Sequence, residues 1–129
     1  MTAQHTLAVR PVTWPMRALA AVAGLHVVAL LVQAVTAGLL LSMPGGRALH
    51  MASAIALLAV GLVHVVVAIL VRWPGGGSAK FILPAAALLV ATVVVAILGA
   101  AHVKAVHVPL GVMMFGGGVV QLIRVTSRR

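Results

Sequence analysis

The sequence predicts an all-α fold: a transmembrane up-down-up-down four-helix bundle, built as an internal two-helix repeat, with both termini in the cytoplasm. Three observations carry that prediction. The 129 residues are 64% hydrophobic and 7% charged, which is more apolar surface than a soluble domain of this size can hide. Four apolar runs each approach the length of about 20 residues that crosses a bilayer. The breaks between these runs are short and rich in Pro and Gly, residues that end helices.

Residues 1–15 read as a flexible N-terminal arm, and residues 16–126 as one four-helix transmembrane domain. The first span is expected at about 18–41. It is too long for a signal-peptide core and lacks an obvious cleavage site, so it is kept as a span. Met43-Pro44-Gly45-Gly46-Arg47 closes it. The second span, about 48–71, ends in Arg72-Trp73-Pro74 and the glycines that follow. The third, about 81–101, and the fourth, about 105–123, are separated only by His102-Val103-Lys104. Spans joined by such short loops pack as antiparallel neighbours.

Charge then orients the bundle. Arg10, Arg17, Arg72, Lys80, Arg124, Arg128 and Arg129 fall on one side, and Arg47 and Lys104 on the other. Seven against two is a positive-inside bias that places both termini in the cytoplasm and the two short loops outside. The expected location is a bacterial cytoplasmic (inner) membrane, crossed several times. Trp14 and Trp73 flank the spans on the cytoplasmic side as interfacial anchors. The formal charge of +9 is scattered between apolar runs, so it reads as topology and not as a nucleic-acid patch. With no Cys, Asp or Glu in the chain, thiolate and carboxylate chemistry, disulfides and carboxylate proton relays are excluded.

The second and fourth spans align without a gap. His50, Ala54, Leu57, Gly61 and His64 match His107, Gly111, Met114, Gly118 and Gln121, and these offsets trace one helix face. Gly and Ala on such a face let transmembrane helices pack closely, but close packing does not explain two histidines in register. By helical rise, His50 and His107 lie about 3 Å inside the outer ends of their helices. His64 is about 21 Å further along its helix than His50, and rotated from it by about 40°. His26, on the first span, lies about 12 Å from the cytoplasmic end, close to the depth of His64. The histidines therefore form an outer layer, His50 and His107 with His102 nearby, and an inner layer, His26 and His64.

Paired imidazoles on different helices are what a low-spin haem iron takes as axial ligands, and bundle cores are where such sites are built. His50 and His107 are the candidate ligands of one haem b near the outer face. His26 and His64 are candidates for a second. Ala54, Gly61, Gly111 and Gly118 would leave room beside the ligands for the flat macrocycle. Arg47 and Lys104 are natural counter-ions for its propionates. The alternative reading makes the outer histidines solvated interfacial residues. On that reading the inner ones hydrogen-bond each other, Gln33 or Thr36. Gln33 and Gln121 read as interhelical hydrogen bonds or contacts to a quinone or haem edge. Met113 and Met114 read as lipid or core residues.

Gln33, Gly38, His50 and His107 also carry a resemblance. Residues 20–125 resemble one four-helix half of the haem A synthases, a family built from two such halves. Each half has a Gln…Gly-bearing first helix and a His at the outer start of its second and fourth helices. The chain is similar too to small four-helix membrane proteins of unknown function and, more loosely, to four-helix b-type cytochromes. The synthases' catalytic half carries a glutamate where this chain has Arg47, and their outer-loop cysteines have no counterpart here. What the resemblance implies is therefore the haem-holding scaffold without the oxidation chemistry. Two copies could pair as the two halves do, or the chain could sit in a larger respiratory or assembly complex.

The expected function is a b-type haem-binding membrane protein for electron transfer, haem carriage or cytochrome assembly. With both axial positions filled, oxygen chemistry is disfavoured, and the chain reads as not an enzyme by itself. Two rivals stand beside it: an accessory or structural subunit whose histidines are hydrogen-bonding glue, and a small proton-linked transporter using His26 and His64 as a relay.

Overall fold

The structure, a computed structural model, describes residues 14–127. Four helices follow in order: α1 is Trp14–Ser42, α2 Gly46–Arg72, α3 Ile82–Ala100 and α4 Lys104–Thr126. A 3-10 turn at Ala79–Phe81 leads into α3. Each helix is long and apolar enough to span a membrane. This is a multi-pass, four-helix membrane protein.

α1, α2 and α4 overrun the runs read from sequence, while α3 falls one residue short at each end. α1 begins at Trp14, inside the stretch expected to be a loose arm. Pro15 explains the early start: in the first turn its missing N–H costs nothing and its fixed φ suits a helix. Its ring is buried. The remaining arm residues 1–13, with His5 and Arg10, and the terminal Arg128 and Arg129 lie outside the described residues.

The three connections are built by specific backbone devices. Between α1 and α2, Gly45 takes φ 83°, a left-handed conformation that disfavours other residues. A Cβ on the next residue, Gly46, would overlap the Leu39 carbonyl, so the hairpin closes only around a glycine there. After α2 the loop folds back on the helix end, with Gly75 N–H donating to Leu70 O and Gly77 N–H to Val71 O. The α3–α4 turn is a Schellman cap: Val103 N–H donates to Leu98 O and His102 N–H to Gly99 O. His102 occupies the left-handed position of that cap, φ 59°, where glycine is the usual residue.

α1 packs on α2 and α4, and α3 packs on the same two helices. The pairs α1/α3 and α2/α4 are therefore the diagonals of the bundle. One end carries the two short turns, with Arg47 and Lys104. The other carries the start of α1, the α2–α3 connection and the end of α4, with Arg17, Arg72, Lys80 and Arg124. We refer to these as the turn end and the terminal end.

The interior is stratified. Leu19, Ala20, Ala68, Val71, Phe81, Ala85 and Val125 form an apolar cluster toward the terminal end. Leu30, Leu57 and Met114 form a second one nearer mid-bundle. Leu57, Gly61 and His64 on α2, and Met114, Gly118 and Gln121 on α4, are all buried. The matched positions of the two helices thus face inward, as their register predicts. Outward-facing positions such as Leu62, Val63, Val90, Ile97, Val112 and Met113 are large and apolar, as lipid contact requires.

Candidate functional site

Apart from the buried Thr92 and Gln121, the polar side chains inside the bundle gather at two depths. Toward the turn end, α1 supplies Gln33 and Thr36, α2 supplies His50 and Ser53, and α4 supplies His107. Short hydrogen-bonded turns at both hairpins bring these helix ends level. The His50 and His107 rings face each other across the α2/α4 diagonal, with centroids 6.4 Å apart and planes at 71°. His107 Nδ1–H donates to the Val95 carbonyl at 2.8 Å, which fixes the tautomer and leaves Nε2 with a free lone pair. Gly99 makes room for this ring, since a Cβ there would fall 2.8 Å from His107 Cε1.

His50 is held from α1. The Gln33 amide nitrogen lies 3.3 Å from its Nδ1 and 3.2 Å from its Nε2, and Thr36 Oγ1 lies 3.3 Å from Nδ1. Ser53 Oγ donates to Gln33 Oε1 and sits 2.8 Å from Thr36 Oγ1. Thr36 in turn donates to the Gln33 carbonyl at 3.0 Å. The result is a closed polar network that orients one imidazole.

The deeper layer is different in kind. His26 and His64 come from adjacent helices, their Nδ1 atoms are 2.9 Å apart, and their ring planes meet at 74°. His26 is 0% and His64 1% exposed. One Nδ1–H donates and the other Nδ1 accepts, so a neutral pair carries one free N–H and one free lone pair at its two Nε2 atoms. Both Nε2 atoms are buried without a partner. Of the inner partners considered from sequence, only the direct His–His contact forms; Gln33 and Thr36 serve His50 instead.

Whether either pair suits an iron between its rings can be tested on these distances. A metal–imidazole bond is about 2 Å, so two such bonds hold the ligating nitrogens about 4 Å and the ring centres about 6 Å apart. The outer pair, with centroids at 6.4 Å, meets that requirement. The inner pair is already joined nitrogen to nitrogen at 2.9 Å. The small residues follow the same division. A Cβ on Gly111 would meet nothing within 4 Å, which leaves space one turn below His107. Ala54, one turn below His50, is half-buried. Deeper down, Gly61 is packed by Leu89 and His26, and Gly118 by Leu30 and Val27. Arg47 and Lys104 are exposed at the turn end, near the outer pair in sequence and height.

His102 is exposed in the α3–α4 turn and makes no side-chain hydrogen bond among the described residues. Gln121 donates from Nε2 to the Phe81 carbonyl at 3.4 Å, the interhelical contact expected of it. Sequence reasoning missed Ser53, Val95 and Gly99. Ser53 had a usable signal, because it is a hydroxyl three residues after His50 on the same face. Val95 acts through its carbonyl, which no side-chain pattern reveals.

No family model matches the chain, and it has no match among curated proteins or solved structures. The likeness to the haem A synthases rests on its short motifs alone.

Proposed function

We propose that this protein binds one haem b near the turn end of the bundle, with His50 and His107 as axial ligands, and serves in electron transfer, haem carriage or cytochrome assembly. The observation that supports this most is the outer pair itself. Two imidazoles from diagonal helices stand 6.4 Å apart, one with its Nδ1–H committed to the Val95 carbonyl so that Nε2 is left to ligate. That backbone hydrogen bond is the usual means of fixing a ligand's tautomer and raising its basicity. Thr36 can accept from His50 Nδ1–H in the same way, provided Gln33 yields its contact with Nε2. Ala54 and Gly111 would border the macrocycle, and Arg47 and Lys104 would pair with its propionates. A bound haem supplies a one-electron iron couple. The reading takes one haem and not two, because His26 and His64 already spend their Nδ1 atoms on each other. The charge bias between the two ends supports a cytoplasmic membrane with the terminal end inside.

The test is a reduced-minus-oxidised visible spectrum of the detergent-purified chain expressed with haem supplied, beside His50→Ala, His107→Ala and His64→Leu. Sharp Soret and α bands that vanish in the first two variants and persist in the third are expected. A flat spectrum from well-folded wild type refutes the proposal.

The second reading, a structural subunit of a membrane complex, is favoured by the 2.9 Å contact between His26 and His64. Interhelical hydrogen bonds of this kind hold transmembrane helices together. It predicts no haem and stable co-purification of other membrane chains.

A further inference from the structure

At the terminal end, a cavity of about 200 Å³ lies between the start of α3 and the end of α4, lined by Lys80, Phe81, Pro84, Gln121 and Arg124. Its two cations are exposed, and the chain has no Asp or Glu with which either could pair. The Lys80 ammonium is placed 5.2 Å over the ring of Phe81, which is buried and lines the cavity. At the floor, Gln121 is 2% exposed and makes one hydrogen bond among the described residues, a long one of 3.4 Å to the Phe81 carbonyl. Its Nε2 is engaged with that carbonyl, so the anion-binding character of the cavity comes from the two cations. The α3 N-terminus adds its positive dipole end with no side-chain cap to neutralise it.

The height of the cavity says which anion it meets. Trp14 and Trp73, at the same end, are 66% and 69% exposed, as indoles at the headgroup level of a bilayer are. Lys80 and Arg124 flank spans that end at that level. We propose that this cavity is a binding site for the phosphate of an anionic phospholipid headgroup, held by Lys80 and Arg124. Anionic lipids are favoured over zwitterionic ones for a simple reason. A zwitterionic headgroup brings an ammonium group along with its phosphate, and no Asp or Glu side chain lines the cavity to receive it. The proposal does not depend on haem binding.

The test uses the full chain in a neutral detergent, titrated with short-chain phosphatidylglycerol, short-chain phosphatidylcholine or inorganic phosphate, and read as the thermal melting midpoint. The proteins are wild type, Lys80→Gln/Arg124→Gln, and the control Arg17→Gln/Arg72→Gln, which removes two cations from the same end. Phosphatidylglycerol should raise the midpoint saturably in wild type and control. The concentration needed should rise about tenfold or more in the site variant, given the usual worth of two surface cations. Phosphatidylcholine and inorganic phosphate should leave the midpoint unchanged. An equal response of the site variant and the control places the effect in general charge and overturns the site. An equal response to inorganic phosphate overturns the lipid source, an equal response to phosphatidylcholine overturns anion selectivity, and no response of wild type overturns the whole proposal. Arg124→Gln alone, read in the same way, decides the matter if the double variant does not fold.

Discussion

The His26–His64 contact makes a quantitative prediction. Replacing His26 by Leu removes one interhelical hydrogen bond and leaves His64 with both ring nitrogens unpartnered in a fully buried site. A newly orphaned buried group costs about 1–3 kcal/mol in soluble proteins. Measured interhelical hydrogen bonds in membranes are weaker, about 0.6 kcal/mol on average and about 1.7 at most, because the unfolded helices also find partners. With both rings at 0–1% exposure, this pair belongs at the upper end of the membrane range. His26→Leu and His64→Leu should therefore each destabilise, while the double variant should be about 1–2 kcal/mol more stable than the sum of the single losses. The assay is a double-mutant cycle on reversible unfolding in mixed micelles titrated with SDS, followed by helical circular dichroism. Additivity within about 0.3 kcal/mol, the behaviour of independent sites, would refute the shared hydrogen bond.

Three further outcomes follow from backbone and packing. His102→Gly should stabilise the protein by about 1 kcal/mol in a thermal melt, because it relieves a left-handed backbone at a cap where the His side chain is exposed; destabilisation would show that the ring has an unseen partner. Gly46→Ala should cost about 2 kcal/mol or more, because its Cβ meets the rigid Leu39 carbonyl, whereas Gly118→Ala should cost under about 1 kcal/mol, because its obstacle is only the end of the Leu30 side chain; equal melting temperatures for the two would contradict this. Gly99→Ala should push the His107 ring off the Val95 carbonyl and weaken haem uptake at unchanged helical content, and full uptake by this variant would show that the ring position is not limiting.

The fold was legible because spans and breaks differ in composition. Apolar runs broken by Pro44-Gly45-Gly46 and by the Trp73–Gly77 stretch leave few topologies, and the repeat register named the inward positions Leu57, Gly61, His64, Met114, Gly118 and Gln121. Less was legible about partners. Lipid is as apolar as leucine, so α1 is equally apolar on its buried and exposed faces, and nothing in its sequence says how it is rotated. That rotation decides which neighbour Gln33 and Thr36 face, and the structure turns them to His50 on α2. Gly61 is packed by Leu89 and His26, and Gly118 by Leu30 and Val27, so these glycines pack helices where sequence suggested open space. The near miss at α1's start has a local cause, since Pro15 reads equally well as the end of an arm or the first turn of a helix.

Helix adjacency explains why the two histidine pairs differ in structure. α1 and α2 are direct neighbours, so His26 and His64 are pressed into contact and their Nδ1 atoms meet. α2 and α4 are diagonal, so His50 and His107 are separated by the width of the bundle core, and each takes its hydrogen bonds from the helix beside it: His50 from α1, His107 from α3. A pair that satisfies itself is suited to holding helices together. The members of the outer pair are each oriented from behind, and their rings stand edge to face with centroids 6.4 Å apart, the arrangement on which the proposed ligation rests. The apolar layer of Leu30, Leu57 and Met114 separates the two, so substitutions at one pair are expected to act independently of the other in stability measurements.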